Sequence, residues 1–228
     1  MFTLEQVVPW GRSFAEYSSM FALTDADIGT RILGCADGPA SFNAEATARG
    51  ATVTSADPIY QWDEEQILAR VTATYDDVLE QTRRNQDEFV WDTIDSVDEL
   101  GRVRMQAMRN FLSDYSRGRT DGRYVYAALP SLPFDALSFD LALCSHFLFL
   151  YSTQLGEAFH ADALNELCRV AHEVRVFPLL ALGGQPSPYV TSSVQRLRAS
   201  GFDVSIERVP YEFQRGGNEM MRIRRESR

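Results

Sequence analysis

The chain has 228 residues, 45% of them hydrophobic, and its 32 acidic against 22 basic side chains give a net charge of −10 at pH 7. No apolar run reaches the length of a membrane span, and the opening Met-Phe-Thr-Leu-Glu-Gln lacks the basic and apolar regions of a secretion signal, so a single cytoplasmic domain over 1–228 is expected. The negative balance repels a phosphate backbone, which disfavours nucleic acid and favours a small-molecule substrate; the one dense basic cluster, Arg222, Arg224, Arg225 and Arg228, reads as a solvated strand face.

Residues 1–30 are expected to form a helical cover, in which Ser13 and Glu16 make a capping box and Phe14, Tyr17 and Phe21 share one face. A buried strand at Ile32 and Leu33 leads into a turn of small residues, Gly34, Ala36 and Gly38. A helix ending at Gly50 follows, then a second strand, Ala51 to Ser55, and an acidic residue, Asp57. This is the layout of a site for a nucleotide-derived cofactor. Small residues let the backbone approach the ligand, a helix N-terminus supplies unpaired N–H groups, and a carboxylate about 20 residues on accepts hydrogen bonds from ribose hydroxyls. A nicotinamide dinucleotide is the weaker alternative, because the GxGxxG pattern in register from Gly34 meets Pro39 where a close helix–strand contact needs glycine.

Residues 61–122 are too long for an ordinary crossover and read as a helical insertion, either a lid over the pocket or a homodimer contact. Ile67, Leu68, Val71, Tyr75, Val78 and Leu79 fall on one face of a first helix, and Leu100, Val103, Arg104, Ala107, Met108 and Phe111 on one face of a second. A third strand is expected from Arg123 to Leu129, a turn at Leu132-Pro133-Phe134, and a fourth strand opening at Phe139 and Asp140. The apolar run from Phe147 to Leu150 reads as the start of a packed helix or a pocket wall. Phe159, Ala163, Leu164, Leu167 and Val170 mark another helix, and Val174 to Leu180 a fifth strand. A helix with Val190, Val194 and Leu197 stops at Gly201, and strands from Val204 to Phe213 and Met220 to Arg224 close the chain through Gln-Arg-Gly-Gly-Asn. Cys35, Cys144 and Cys168 are odd in number, widely spaced and free of CxxC, and His146, His160 and His172 lack ligand spacing; neither disulfides nor a metal are expected.

The Gly34 to Gly38 loop, the Leu-Pro-Phe turn, the Phe-Asp strand start and the closing strand pair together resemble the class I S-adenosylmethionine-dependent methyltransferases. The resemblance implies an α/β, three-layer Rossmann-like sandwich: a mostly parallel seven-stranded sheet with a C-terminal antiparallel hairpin, here with a helical insertion after the second strand. It implies S-adenosyl-L-methionine as cofactor, held by Gly34, Cys35, Ala36, Asp37, Gly38, Asp57 and Pro58, with Asp57 on the ribose. Ala128 and Leu129 would face the adenine, and Cys144 and Ser145 would border the sulfonium. Arg12 or Tyr17 would reach the methionine carboxylate, or merely pack the cover on the sheet edge. Ile32 stands where the family has an acidic residue, so Asp37 either anchors the amino group or is an exposed helix-start aspartate. His146 is the candidate general base; its alternative is a hydrogen-bonded structural residue. Ile32 and Ala128, lacking the family's carboxylates, keep open a non-catalytic binding module built on the same fold.

Overall fold

The computed structural model describes residues 8–225. Strands β1 (Arg31–Cys35), β2 (Thr52–Ala56), β3 (Tyr124–Val125), β4 (Phe139–Ser145), β5 (Ala171–Phe177), β6 (Phe202–Arg208) and β7 (Glu219–Arg225) make one sheet in the order β3-β2-β1-β4-β5-β7-β6. β1 to β5 are parallel, and β7 runs antiparallel between β5 and β6. The mostly parallel seven-stranded sheet with its closing antiparallel pair is therefore as the sequence implied. A dinucleotide fold would carry a parallel sixth strand where β7 lies.

The helices are α1 (Phe14–Met20), α2 (Asp25–Ile28), α3 (Phe42–Ala48), α4 (Glu64–Arg84), α5 (Val97–Thr120), α6 (Glu157–Val170) and α7 (Val190–Ala199). Side chains alternate across β4: Leu141 and Leu143 join the cluster holding Tyr17 of α1 and Phe42 of α3, while Ala142 and Cys144 join that of Leu164 and Leu167 from α6. Covered on both faces, the central strands read as continuous apolar runs. Among the described residues no helix is long and apolar enough to cross a membrane.

Several boundaries differ from expectation. The third strand is two residues long, because its ladder with β2 ends where Ala56 pairs with Val125, and the chain then turns through a bridge between Ala128 and Ser131. β5 begins earlier and stops at Phe177, before Pro178, which has no N–H to donate. β6 ends at Arg208 rather than Phe213, since residues 209–218 leave the sheet for the helical insertion. Leu68, expected on the buried face of α4, is 43% exposed; Ile67, Val71, Val78 and Leu79 form the buried stripe one step round the helix. In the basic cluster, Arg222 donates to both oxygens of Glu173 (2.8 and 3.0 Å) and Arg225 donates to the Cys168 carbonyl (2.9 Å), while Arg228 lies outside the described residues.

The insertion is anchored rather than pendant. Tyr115 of α5 donates to the carbonyls of Tyr60 (3.1 Å) and Trp62 (2.8 Å), and its ring packs among Tyr60, Phe111 and Tyr124. At its far end, the 209–218 segment clasps the turn between α4 and α5. Val90 N–H donates to the Phe213 carbonyl (2.8 Å) and Arg215 N–H to the Glu88 carbonyl (2.9 Å), with the Phe89 and Phe213 rings stacked 5.0 Å apart.

Candidate active site

A cavity of about 610 Å³ opens at the carboxyl ends of β1, β2, β3 and β4, where ligands of open α/β sheets bind, and its size is in the range of small-molecule sites. One wall is α4, which crosses above the strand tips and presents Arg70, Ala73, Thr74, Val78 and Thr82 at helical spacing.

The loop after β1 explains its small residues one by one. A Cβ on Gly34 would lie 1.8 Å from Asp37 Oδ2, so glycine there makes room for the Asp37 carboxylate rather than for a ligand. Gly38 has φ +56°, and Ala36, at φ +58°, takes a left-handed conformation usually left to glycine while keeping the loop tip narrow. Ala36 and Cys35 face the cavity; the loop does not end in a helix N-terminus, since α3 starts only at Phe42.

Asp37 is neither exposed nor at a helix start. It is buried, accepting from Tyr17 Oη (2.8 Å) and Ser55 Oγ (2.6 Å), and burial raises its pKa to about 6 despite those bonds. Asp57 accepts from the N–H groups of Gly38 (2.9 Å) and Ile59 (2.8 Å), tying the tip of β2 to the loop of β1. Its carboxylate lines the cavity, and burial raises its pKa to about 6 against the two backbone bonds. Pro58, Ala128 and Leu129 line the same space, and Ser145 borders it from the tip of β4. Cys144 does not reach it: the thiol is fully buried in the core on the α6 side of the sheet, where desolvation pushes its pKa to about 12.

His146 lines the cavity with a left-handed backbone (φ +51°), its N–H donating to the Phe177 carbonyl (2.7 Å) and its Nδ1 2.9 Å from Ser145 Oγ. Burial, then Arg12 and Arg104, hold its pKa well below the ordinary value, so the ring is neutral at pH 7.

The cover over this end comes from residues 8–20. Gly11 crosses the β1 loop so closely that a Cβ would sit 2.0 Å from the Pro39 carbonyl oxygen, and Arg12 O accepts from Ser41 N–H (3.0 Å). Arg12 lines the cavity and donates to the Trp10 carbonyl (3.1 Å), while its Nε is buried without a partner. Behind it Glu16, in the expected capping box with Ser13, pairs with the fully buried Arg104 of α5 at 2.5 Å and accepts from Tyr211 Oη (3.1 Å). Burial alone would raise the Glu16 pKa; Arg104 and Arg12 overcome it and hold the carboxyl below its ordinary value. Arg104 takes the Glu16 carboxylate directly and Arg12 acts on it only through space, which leaves Arg12 facing the cavity without an ion-pair partner among the described residues. Tyr17, by contrast, has its hydroxyl committed to Asp37.

Sequence reasoning missed the far half of the cavity: Trp10, the α4 face, Leu182, and Phe213 and Gln214 from the β6–β7 connector. The periodicity of α4 was visible, but nothing local in the sequence showed that residues 213 and 214 meet residues 88–90. Among the described residues, no three His, Cys, Asp or Glu side chains are grouped as a metal ion would require.

Strand order, reversed β7 and a cavity over the β1, β2 and β4 tips define the fold of the class I S-adenosylmethionine-dependent methyltransferases. Two solved structures share it: magnesium protoporphyrin IX methyltransferase (ChlM) from Synechocystis PCC 6803 with bound SAM, and mitomycin 7-O-methyltransferase MmcR. The first has a TM-score of 0.52 and 11% identity, covering 93% of this chain and 79% of that one. The second has a TM-score of 0.52 and 14% identity over 93% of this chain, which spans about half of MmcR (54%). The chain belongs to the family of the uncharacterized protein MJ0045 of Methanocaldococcus jannaschii, with which it is 34% identical over 223 residues, 97% of this chain and 98% of that protein. No protein-family model matches the sequence.

Proposed function

We propose that the protein binds S-adenosyl-L-methionine in this cavity and transfers its methyl group to a small-molecule acceptor. The observation that carries the reading is the convergence of Asp57, the Ala127–Leu129 segment and Arg12 on one cavity. These supply a carboxylate for a diol, apolar walls with backbone groups for a base, and a cation with an unpartnered buried nitrogen for a carboxylate. ChlM, which shares the fold, holds SAM in its crystal structure. When bound, the cofactor supplies a methyl group on a sulfonium, a leaving group already activated.

The chain's own task is then alignment and exclusion of water. Ser145 and His146 sit at the tip of β4, beside the cover that holds Arg12. In the tautomer that donates from Nδ1 to Ser145 Oγ, the His146 Nε2 is a neutral acceptor for a hydroxyl or amine and takes up its proton. Because Arg12 and Arg104 oppose the imidazolium, His146 suits an acceptor that is itself acidic enough to release the proton.

The test is thermal unfolding with S-adenosylhomocysteine. A ligand confined to the native state raises Tm, so the wild type is expected to shift upward and Asp57→Ala, folded by its own transition, to lose the shift. An unmoved wild-type transition at saturating ligand refutes the reading.

A further inference from the structure

Of the carboxylates, guanidinium groups and imidazole that line the cavity, Arg12, Asp37, Asp57 and His146 lie toward the strand tips and the cover. Arg70, near the start of α4, stacks its guanidinium 3.8 Å over Trp62, five residues after Asp57, and donates to the Gln66 carbonyl (3.1 Å). The opposite end is of another character. Its lining comes from Val78, Phe89, Leu100, Leu150, Leu182 and Phe213, with no carboxylate, ammonium, guanidinium or imidazole among them.

The parts of this end are held together by the protein itself. Leu182 N–H donates to the Leu150 carbonyl (2.9 Å), joining the turn after β4 to the loop after β5. Leu100 packs with Leu79, Ile94 and Val97, against which Trp91 and Phe213 lie. Phe213 stacks on Phe89 at 5.0 Å and meets Trp91 edge-on at 5.4 Å. Arg215 fastens the outside, donating to the carbonyls of Phe89 (3.0 Å) and Asp87 (3.2 Å). Thr82 turns its hydroxyl back to the Val78 carbonyl (2.8 Å). The side-chain amide of Gln214, also on the lining, makes no hydrogen bond within the described protein, and so brings a donor and an acceptor to an otherwise apolar wall.

We infer that this end is the acceptor subsite and that it takes a neutral planar ring, packed on Phe213 and read by the amide of Gln214. The inference rests on the cofactor reading, which assigns Asp57, the 127–129 segment and Arg12 to the adenosyl group and its amino-acid tail and leaves His146 between the two ligands. An ionised acceptor would surrender its hydration here with no counter-charge to replace it, whereas an uncharged ring gains apolar and aromatic contact on every side. A donor or acceptor on the ring edge finds the one amide still open. The clasp behind Phe89 and Phe213 limits the occupant to a small molecule.

The experiment uses the full chain saturated with S-adenosylhomocysteine and three probes that share one ring system: 1-naphthol, 1-naphthoate and 1-naphthylmethylammonium. Only 1-naphthol is expected to raise Tm beyond the S-adenosylhomocysteine shift. In Gln214→Glu the affinity for 1-naphthol should fall about tenfold, which corresponds to about 1.4 kcal/mol, while the ammonium probe gains a shift. Phe213→Leu should also weaken 1-naphthol. In both variants a retained S-adenosylhomocysteine shift shows that the fold and the charged end are intact. A charged probe matching 1-naphthol on the wild type, an unchanged response in both variants, or no response to any probe overturns the inference. Absence of the S-adenosylhomocysteine shift itself strikes the cofactor reading instead, and the order of the three probes is then read without it.

Discussion

At the strand tips the cavity is lined by short turns whose polar atoms are held by specific partners, Asp37 between Tyr17 and Ser55 and Asp57 between two backbone N–H groups, and it is backed by Glu16 of α1 between Arg104 and Tyr211. Under the far half of α4 it is lined by aliphatic and aromatic side chains, the Thr82 hydroxyl turned back to its own helix, and the Gln214 amide, which has no hydrogen bond among the described residues. The first end owes its order to directional bonds at low dielectric, the second to packing. Under the proposed function the two kinds of order would divide the work: directional bonds would hold a polar cofactor in one pose, and packing would select the acceptor by shape and lack of charge.

The largest effect that separates the two ends is expected at Glu16. Glu16→Ala leaves Arg104 buried without a carboxylate, which should cost about 3–5 kcal/mol in urea unfolding. Replacing both members, Glu16→Leu with Arg104→Met, should recover much of that loss. If the single variant unfolds like the wild type, the directional order assigned to this end is mistaken.

A smaller, pH-dependent effect belongs to Asp57. Its folded-state pKa, about 6, lies above the unfolded 3.8, so its stabilising contribution is fully present below about 3.8 and is lost as the pH rises through about 6. Wild-type stability should therefore gain on that of Asp57→Asn as the pH falls from about 7 to about 5. Ligand affinity should move the other way: a diol donates to the ionised carboxylate, so wild-type affinity for S-adenosylhomocysteine should drop below about pH 6 and be nearly flat in Asp57→Asn. Parallel pH profiles in the two proteins would remove Asp57 from the binding site.

The smallest effect is expected at the clasp. Arg215 is exposed and makes two hydrogen bonds to backbone carbonyls, so Arg215→Ala should cost about 1 kcal/mol and leave the S-adenosylhomocysteine shift as it was. A lost shift would show that the two ends of the cavity are not separable.

Much of the first end was legible in the sequence because it depends on neighbours along the chain. The capping box of Ser13 and Glu16, the small residues from Gly34 to Gly38 and the acid after β2 announce themselves within a few positions of one another. What could not be read was the direction of the Asp37 side chain, because the space beneath Gly34 that admits it is made by β2 and α1 together. Cys144 was displaced from the site by the alternation of β4, which turns Ser145 toward the cavity and the thiol into the core. The second end stayed hidden because it pairs residues 88–90 with residues 213–215.

That clasp has a consequence for biosynthesis. While the chain leaves the ribosome, α4 and α5 are complete long before the segment around Phe213 emerges, so Phe89, Trp91 and the underside of α4 wait uncovered until the last two strands arrive. A nascent chain, or one cut before Phe213, therefore displays a sticky aromatic ledge that the folded molecule conceals, and folding depends on the β6–β7 segment both to complete the sheet and to seal the chamber.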